Sequence, residues 1–187
     1  MSRTGYGVVL VAAVLTLIAS MTGVARHAAA RVGPAASSGT APRSPAGCTA
    51  PVGLPGSEVG VTVVDMGMSP MMGGRAPMRL RTGSGSVTSG PVTFVVTNRG
   101  SRTHELLILP LADGQQAGGR APGPDGEVDE AGSLAEASTT CGSGTGEGIT
   151  SGGVGWVTVT LPAGRYELVC NEPDHYSAGM WQELDVS

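Results

Sequence analysis

From residue 57 onward the sequence predicts an all-β domain, an antiparallel sandwich or Greek-key barrel. Three observations carry this. Apolar residues recur at every second position in short runs, and Gly, Pro or Asn bounds each run. In addition, 31 Gly and 13 Pro in 187 residues favour turns and short strands over long helices.

The runs follow in order. "EVGVTVVDM" sets Val59, Val61 and Val63 on one face. "PMRLRT" alternates Met78 and Leu80 with Arg79 and Arg81, and "PVTFVVTN" alternates Val92, Phe94 and Val96 with Thr93, Val95 and Thr97. Next come "HELLILPL", "GWVTVTL", "RYELVCN" and "MWQELDV", which makes seven strands. No internal repeat is present. With a single Phe, the core must come from Val, Leu, Met and Ala.

Residues 112–153 break the rhythm. They are rich in Gly and carboxylates, and "GEVDEAGSLAEAS" reads as a short helix within a long acidic excursion between two strands. Asp113, Asp125, Glu127, Asp129, Glu130, Glu136 and Glu147 lie here. No D-x-D-x-D-G calcium loop is present, so these carboxylates read as a solvated face.

Ahead of the domain, residues 1–30 hold an early Arg3 and then 22 uncharged residues from Thr4 to Ala25. This is a signal peptide or a membrane anchor. Ala28-Ala29-Ala30 offers a cleavage site, whereas Arg26, Arg31 and Arg43 sit on the wrong side for an uncleaved anchor. Residues 31–56 are a Pro/Ala/Ser/Gly-rich tether. "PAGC" at 45–48 is a poor lipoprotein box, because Pro45 does not suit it and the apolar segment ends well before it.

Charge excludes one class of partner. From residue 48 on the chain carries 7 Arg against all 15 acidic residues, and there is no Lys anywhere. Nucleic-acid binding needs a basic footprint, which this domain lacks.

The chemistry concentrates in "CNEPDHYSAGMW", residues 170–181. Cys170, His175 and Met180 stand five residues apart in a chain with three Cys and three His. Outside the leader the other His is His104, at the head of "HELLILPL". A thiolate, two imidazoles and a weak thioether form the ligand set of a blue-copper electron-transfer site. Taken singly, the Cys reads as a small buried hydrophobe, the His as a hydrogen-bonded core residue and the Met as packing. No single one of these readings explains all four together.

"GRYELVCNEPDHYSAGMW" resembles the copper loop of the cupredoxins, and the resemblance extends from about residue 57 to the C-terminus. The C-x4-H-x4-M spacing is most similar to the rusticyanin and sulfocyanin type. The resemblance implies a cupredoxin-like copper-binding domain over 57–187, with one type 1 copper ion held by His104, Cys170 and His175 and by Met180 axially. It further implies a monomeric one-electron carrier, not an enzyme, that meets redox partner proteins outside the cytoplasm. Electrons would leave by the edge of His175, with Tyr176, Ala178 and Trp181 as an apolar contact patch. Two positions depart from the family. Glu105 stands where an Asn ties the ligand loops together, a tie that Asn171 is expected to make from the other side. Asp174 stands where Gly is usual.

With Cys170 a ligand, Cys48 and Cys141 remain as a pair in a chain that reads as exported, which points to a disulfide. Met66, Met68, Met71, Met72 and Met78 offer a second reading, an extracytoplasmic copper carrier or buffer working through thioethers. Packing or partner docking is the ordinary use of such methionines.

Overall fold

The computed structural model describes residues 47–65 and 78–187. The leader, the tether up to residue 46, and Met66, Met68, Met71 and Met72 lie outside the described residues.

Among the described residues nine strands form two sheets: β1 (Ser57–Asp65), β2 (Met78–Thr82), β3 (Ser86–Val87), β4 (Gly90–Asn98), β5 (Leu106–Pro110), β6 (Ala135–Ala137), β7 (Val154–Leu161), β8 (Gly164–Val169) and β9 (Trp181–Val186). One sheet has the order β2-β1-β4-β7 and the other β3-β9-β8-β5-β6. The chain changes sheet after β2, β3, β4, β6 and β7, so neighbours in sequence often face each other across the core.

The alternation read from the sequence is what closes the sandwich. Val59, Val61, Val63, Val92, Phe94 and Val96 point inward from the first sheet, and Leu106, Ile108, Leu168, Leu184 and Val186 meet them from the second. Each such side chain, fully buried, contributes about 1.5–3 kcal/mol. The parallel pairing of β1 with β4 matches Val59 to Phe94 and Val61 to Val96, so both strands keep their apolar positions on one face. Tyr166 turns its hydroxyl back to the Pro162 carbonyl, 2.8 Å away, and fastens the β7–β8 corner.

Three expectations need correction. The pairing is not wholly antiparallel: β1–β4 and β3–β9 are parallel, because the chain visits other strands between the partners. Seven strands become nine, since β3 and β6 are too short to show a period. The helix expected in "GEVDEAGSLAEAS" does not form. The segment runs as turns into β6, whose backbone groups pair with β5.

The long excursion does more than expose charge. Val128 inserts beside Leu107, Leu109, Val169 and Tyr176, forming a second apolar cluster on the outer face of β5 and β8. The second sheet is therefore buried on both faces at the strand that leads to Cys170. A covalent bond joins Cys48 to Cys141, as the cysteine count implied, with Cα atoms 5.6 Å apart.

Candidate metal centre

Cys170 follows the last residue of β8, the strand that pairs with β9 on one side and β5 on the other. Its N–H donates to the Met180 carbonyl at 3.0 Å, so the loop between them closes on itself. Within that loop His175 donates its backbone N–H to Glu172, Gly179 to Tyr176, and Met180 to His175. Asp174 adopts φ 67, the left-handed conformation in which Gly is at ease, which accounts for the Gly that related loops carry there.

His104 enters from the other side, at the end of the turn after β4. Asn98 shapes that turn: its amide donates to the Arg102 and Ile149 carbonyls at 2.7 Å each, and its side-chain oxygen accepts from Gly100 N–H. His104 exchanges both backbone hydrogen bonds with Ile149.

The side chains converge. The His104 Nδ1 lies 3.7 Å and the His175 Nδ1 3.4 Å from the Cys170 Sγ. All three donor atoms fall within 4.8 Å of one another. Bonds of about 2.1–2.3 Å to a common ion, opening at roughly 110–120°, place their donors about 3.5–3.8 Å apart. The observed spacings are close to those of a ligated set.

Protonation agrees. His104 Nε2 lies 3.0 Å from the Asp65 Oδ1, a carboxylate that can only accept; Nε2 therefore carries the hydrogen and Nδ1 presents its lone pair. Burial lowers the pKa of both imidazoles, that of His175 to about 4 with help from His104 and Arg102, so both are neutral ligands near pH 7. Burial pushes the Cys170 thiol up to about 12, against the backbone N–H groups of Glu105 and Glu172 that point at its sulfur. Such a buried thiol gives up its proton when a cation takes the proton's place. Two neutral imidazoles and a buried sulfur, together soft in character, fit copper.

Met180 is fully buried in the same core cluster as Cys170. The four residues named from the sequence thus sit at one end of the sandwich, three with their donor atoms together and Met180 bonded through its backbone to Cys170 and His175.

Other expectations change. The loops are tied by Glu105 rather than by the Asn171 side chain. The Glu105 Oε1 accepts the Asn171 backbone N–H at 3.2 Å, and the Glu105 N–H approaches the Cys170 Sγ at 3.5 Å. Burial, then Glu136, Glu172 and Glu130, raises the Glu105 carboxyl to about 8. The Asn171 side chain turns outward to the Val128 backbone and Glu130. Tyr176 is no surface contact. It is buried, with its hydroxyl donating to the Glu167 Oε1 at 2.9 Å and accepting the Arg120 N–H at 3.0 Å. Ala178 is half-buried. Trp181 is 37% exposed, and its ring lies so close to Gly118 that a Cβ there would sit 2.3 Å from it.

Sequence reasoning missed the residues that hold the ligands. Asp65, 39 residues before His104, gave no local signal. Neither did fully buried Glu167, which accepts from Gly118 N–H at 2.6 Å and pairs with the Arg120 Nε at 2.6 Å. These bonds, with Asp174 N–H to the Gly126 carbonyl and Val128 N–H to Asn171, make residues 118–130 a strap across the ligand loop. On the open side, His175 lines a shallow groove with Ser101, Arg102, Thr103, Glu172 and Pro173.

The two-sheet fold and the His-Cys-His cluster are those the cupredoxin resemblance implies. No family model matches the sequence, and no curated protein sequence matches it. Solved structures similar to it include auracyanin from Roseiflexus castenholzii, at 18% identity and TM-score 0.42, over 71% of this chain and 99% of that one. Auracyanin A, a "blue" copper protein from Chloroflexus aurantiacus, overlaps at 16% identity and TM-score 0.42, over 70% and 100%. Rusticyanin from Thiobacillus ferrooxidans overlaps at 22% and 0.35, over 71% and 79%. With TM-scores below 0.5, these overlaps decide nothing about the site.

Proposed function

We propose that this chain is an exported type 1 (blue) copper protein of the cupredoxin type, carrying one electron at a time between redox partner proteins outside the cytoplasm. One observation carries the reading: the buried convergence of the His104 Nδ1, Cys170 Sγ and His175 Nδ1 on a common centre. The proposed ligands are these three, with Met180 axial. Bound there, copper would supply a Cu(I)/Cu(II) couple.

The chain's own residues do the rest. Cys170 supplies thiolate charge at the end of a central strand, and the two N–H groups at its sulfur steady that charge. Asp65 fixes the tautomer of His104, while the strap fixes the loop that carries His175. Donors anchored in two sheets and two tied loops move little when the charge at their centre changes, which keeps the reorganisation small. His175, alongside the groove, offers the route to a partner. The Cys48–Cys141 disulfide supports an oxidising compartment.

Reconstitution tests this. One Cu(II) per chain should give an intense visible thiolate-to-copper band and a narrow copper hyperfine splitting, and Cys170→Ser should abolish the band. A colourless Cu(II) protein with tetragonal spectra overturns the proposal. The copper-carrier alternative predicts loss of the metal to a moderate Cu(I) chelator on each reduction. An electron carrier keeps it through repeated cycles.

A further inference from the structure

We propose that the Asp65 carboxylate holds the reduction potential of this site down, acting through His104 as a positioning residue; the inference rests on the copper reading above. The carboxylate is buried, with its side chain 3% exposed, behind the fully buried His104 ring. Its hydrogen bonds come from His104 Nε2 at 3.0 Å, Ser101 N–H at 2.7 Å, the Ser101 hydroxyl at 2.6 Å and Arg102 N–H at 3.1 Å. All four are neutral donors, the imidazole included. Among the described residues no Arg side chain pairs with it.

The enclosure is close-fitting. A Cβ on Gly100 would lie 1.8 Å from the Asp65 Oδ1 and 2.8 Å from the His104 Nε2, so the turn passes over the pair with no space to spare. Neither group can swing away from the other without moving the turn. The donors on Asp65 also account for its ionisation. Its two oxygens take four hydrogen bonds, and a group that only accepts is held as the carboxylate.

Two effects then act in one direction. The first is charge. Cu(II), the Cys170 thiolate and the Asp65 carboxylate sum to zero, whereas Cu(I) with the same two anions sums to minus one. Without the carboxylate the reduced state would be the neutral one. A buried net charge is disfavoured, so Asp65 favours the oxidised state. The second is donor strength. A carboxylate on Nε2–H makes the imidazole more basic, and a stronger nitrogen donor favours Cu(II). The N–H groups at the Cys170 sulfur work the other way, by drawing charge off the thiolate. Asp65 contributes a whole charge, roughly 7 Å from the ion across one ring. At an effective dielectric of about 20 this shifts a one-electron equilibrium more than tenfold.

The test compares copper-loaded wild type, Asp65→Asn and Ser101→Ala at one pH, which holds Glu105 and Glu172 in fixed states. Asparagine keeps the shape and the acceptor oxygen for His104 and can donate its amide to the Ser101 hydroxyl. Asp65→Asn should keep the visible band and shift the equilibrium with a redox mediator toward Cu(I) by at least tenfold, which is 59 mV for one electron. Ser101→Ala removes one donor from the carboxylate, makes it a stronger acceptor, and should lower the potential by a smaller amount. An Asp65→Asn protein with its band intact and its potential unmoved or lowered overturns the proposal. If Asp65→Asn does not fold, the sign for Ser101→Ala decides: lower supports, unmoved or higher overturns. A wild type without the band refutes the copper reading instead. In that case nitrogen NMR of the metal-free protein still judges the Asp65–His104 bond. A proton on Nε2 that shifts in Ser101→Ala supports it, and a proton on Nδ1 overturns it.

Discussion

His104 and His175 present the same nitrogen to the same sulfur, at 3.7 and 3.4 Å, yet they are held by different parts of the molecule. His104 is fixed from within. It is fully buried, bridged to Ile149 through its backbone, and backed by Asp65 at the end of β1. His175 is fixed from without. It rides on a loop clamped by the 118–130 strap and lines the surface groove. Under the proposed function the difference separates two duties at one centre: the inner imidazole would set the electronic environment, and the outer one would meet the partner.

Glycine substitution of each ligand should break this comparison most sharply. In His175→Gly, added imidazole can enter by the groove and restore the visible band. In His104→Gly the vacancy lies under the Gly100 turn, and imidazole should not restore it. Absorbance during imidazole titration checks this, and equal rescue of both variants would erase the proposed inside-outside distinction.

The next effect tests the strap. Glu167→Ala leaves the Arg120 guanidinium and the Tyr176 hydroxyl without their buried acceptor, and should cost about 3–5 kcal/mol in denaturant unfolding. Tyr176→Phe removes one hydrogen bond and should cost about 1–2 kcal/mol. Both should speed copper loss at the His175 side while leaving the His104 Nε2 proton as slow to exchange with solvent as in wild type.

Acid and base sharpen the contrast further. The Cys170 thiol of the metal-free protein, at about 12, stays protonated at all ordinary pH, so copper binding must release that proton. Apparent affinity should rise about tenfold per pH unit near neutrality. Below about 4 the free His175 also takes a proton, and the dependence should steepen as pH falls. A competitive chelator titration across pH gives the slope, and a flat profile would contradict the thiolate as ligand.

The smallest expected effect concerns Met180, which belongs to neither side. Met180→Leu should raise the potential and Met180→Gln lower it, with copper retained, because a weaker axial donor favours Cu(I). Unchanged potentials in both would reduce Met180 to packing.

What the sequence disclosed follows the range of the interactions. The strands were legible because a half-buried strand repeats every two residues, and the copper loop because three rare side chains lie within eleven positions. The strap was not. Its acidic, Ala-containing composition suits a helix, but Leu134 N–H is taken by the Ile108 carbonyl and Val128 N–H by Asn171, contacts between distant segments. One clue was present. "LLIL" in β5 is apolar at every position, the mark of a strand covered on both faces, and Val128 with Tyr176 provides the outer cover. Asp65 reaches His104 only through the β1–β4 register, and Tyr176 reads as a surface residue in the sequence because nothing local announces Glu167.

The disulfide has a mechanical consequence. A pull applied to the chain ahead of Cys48 and to its C-terminus does not load residues 49–140, because the force crosses directly to Cys141. His104, Asp65 and the strap all lie within that shielded span. In a single-molecule stretching experiment the oxidised domain should extend about 300–330 Å less than the reduced one, the contour length of the 93-residue bypass. Under tension, then, the copper loop at 170–180 is strained while the inner imidazole and its carboxylate carry no load.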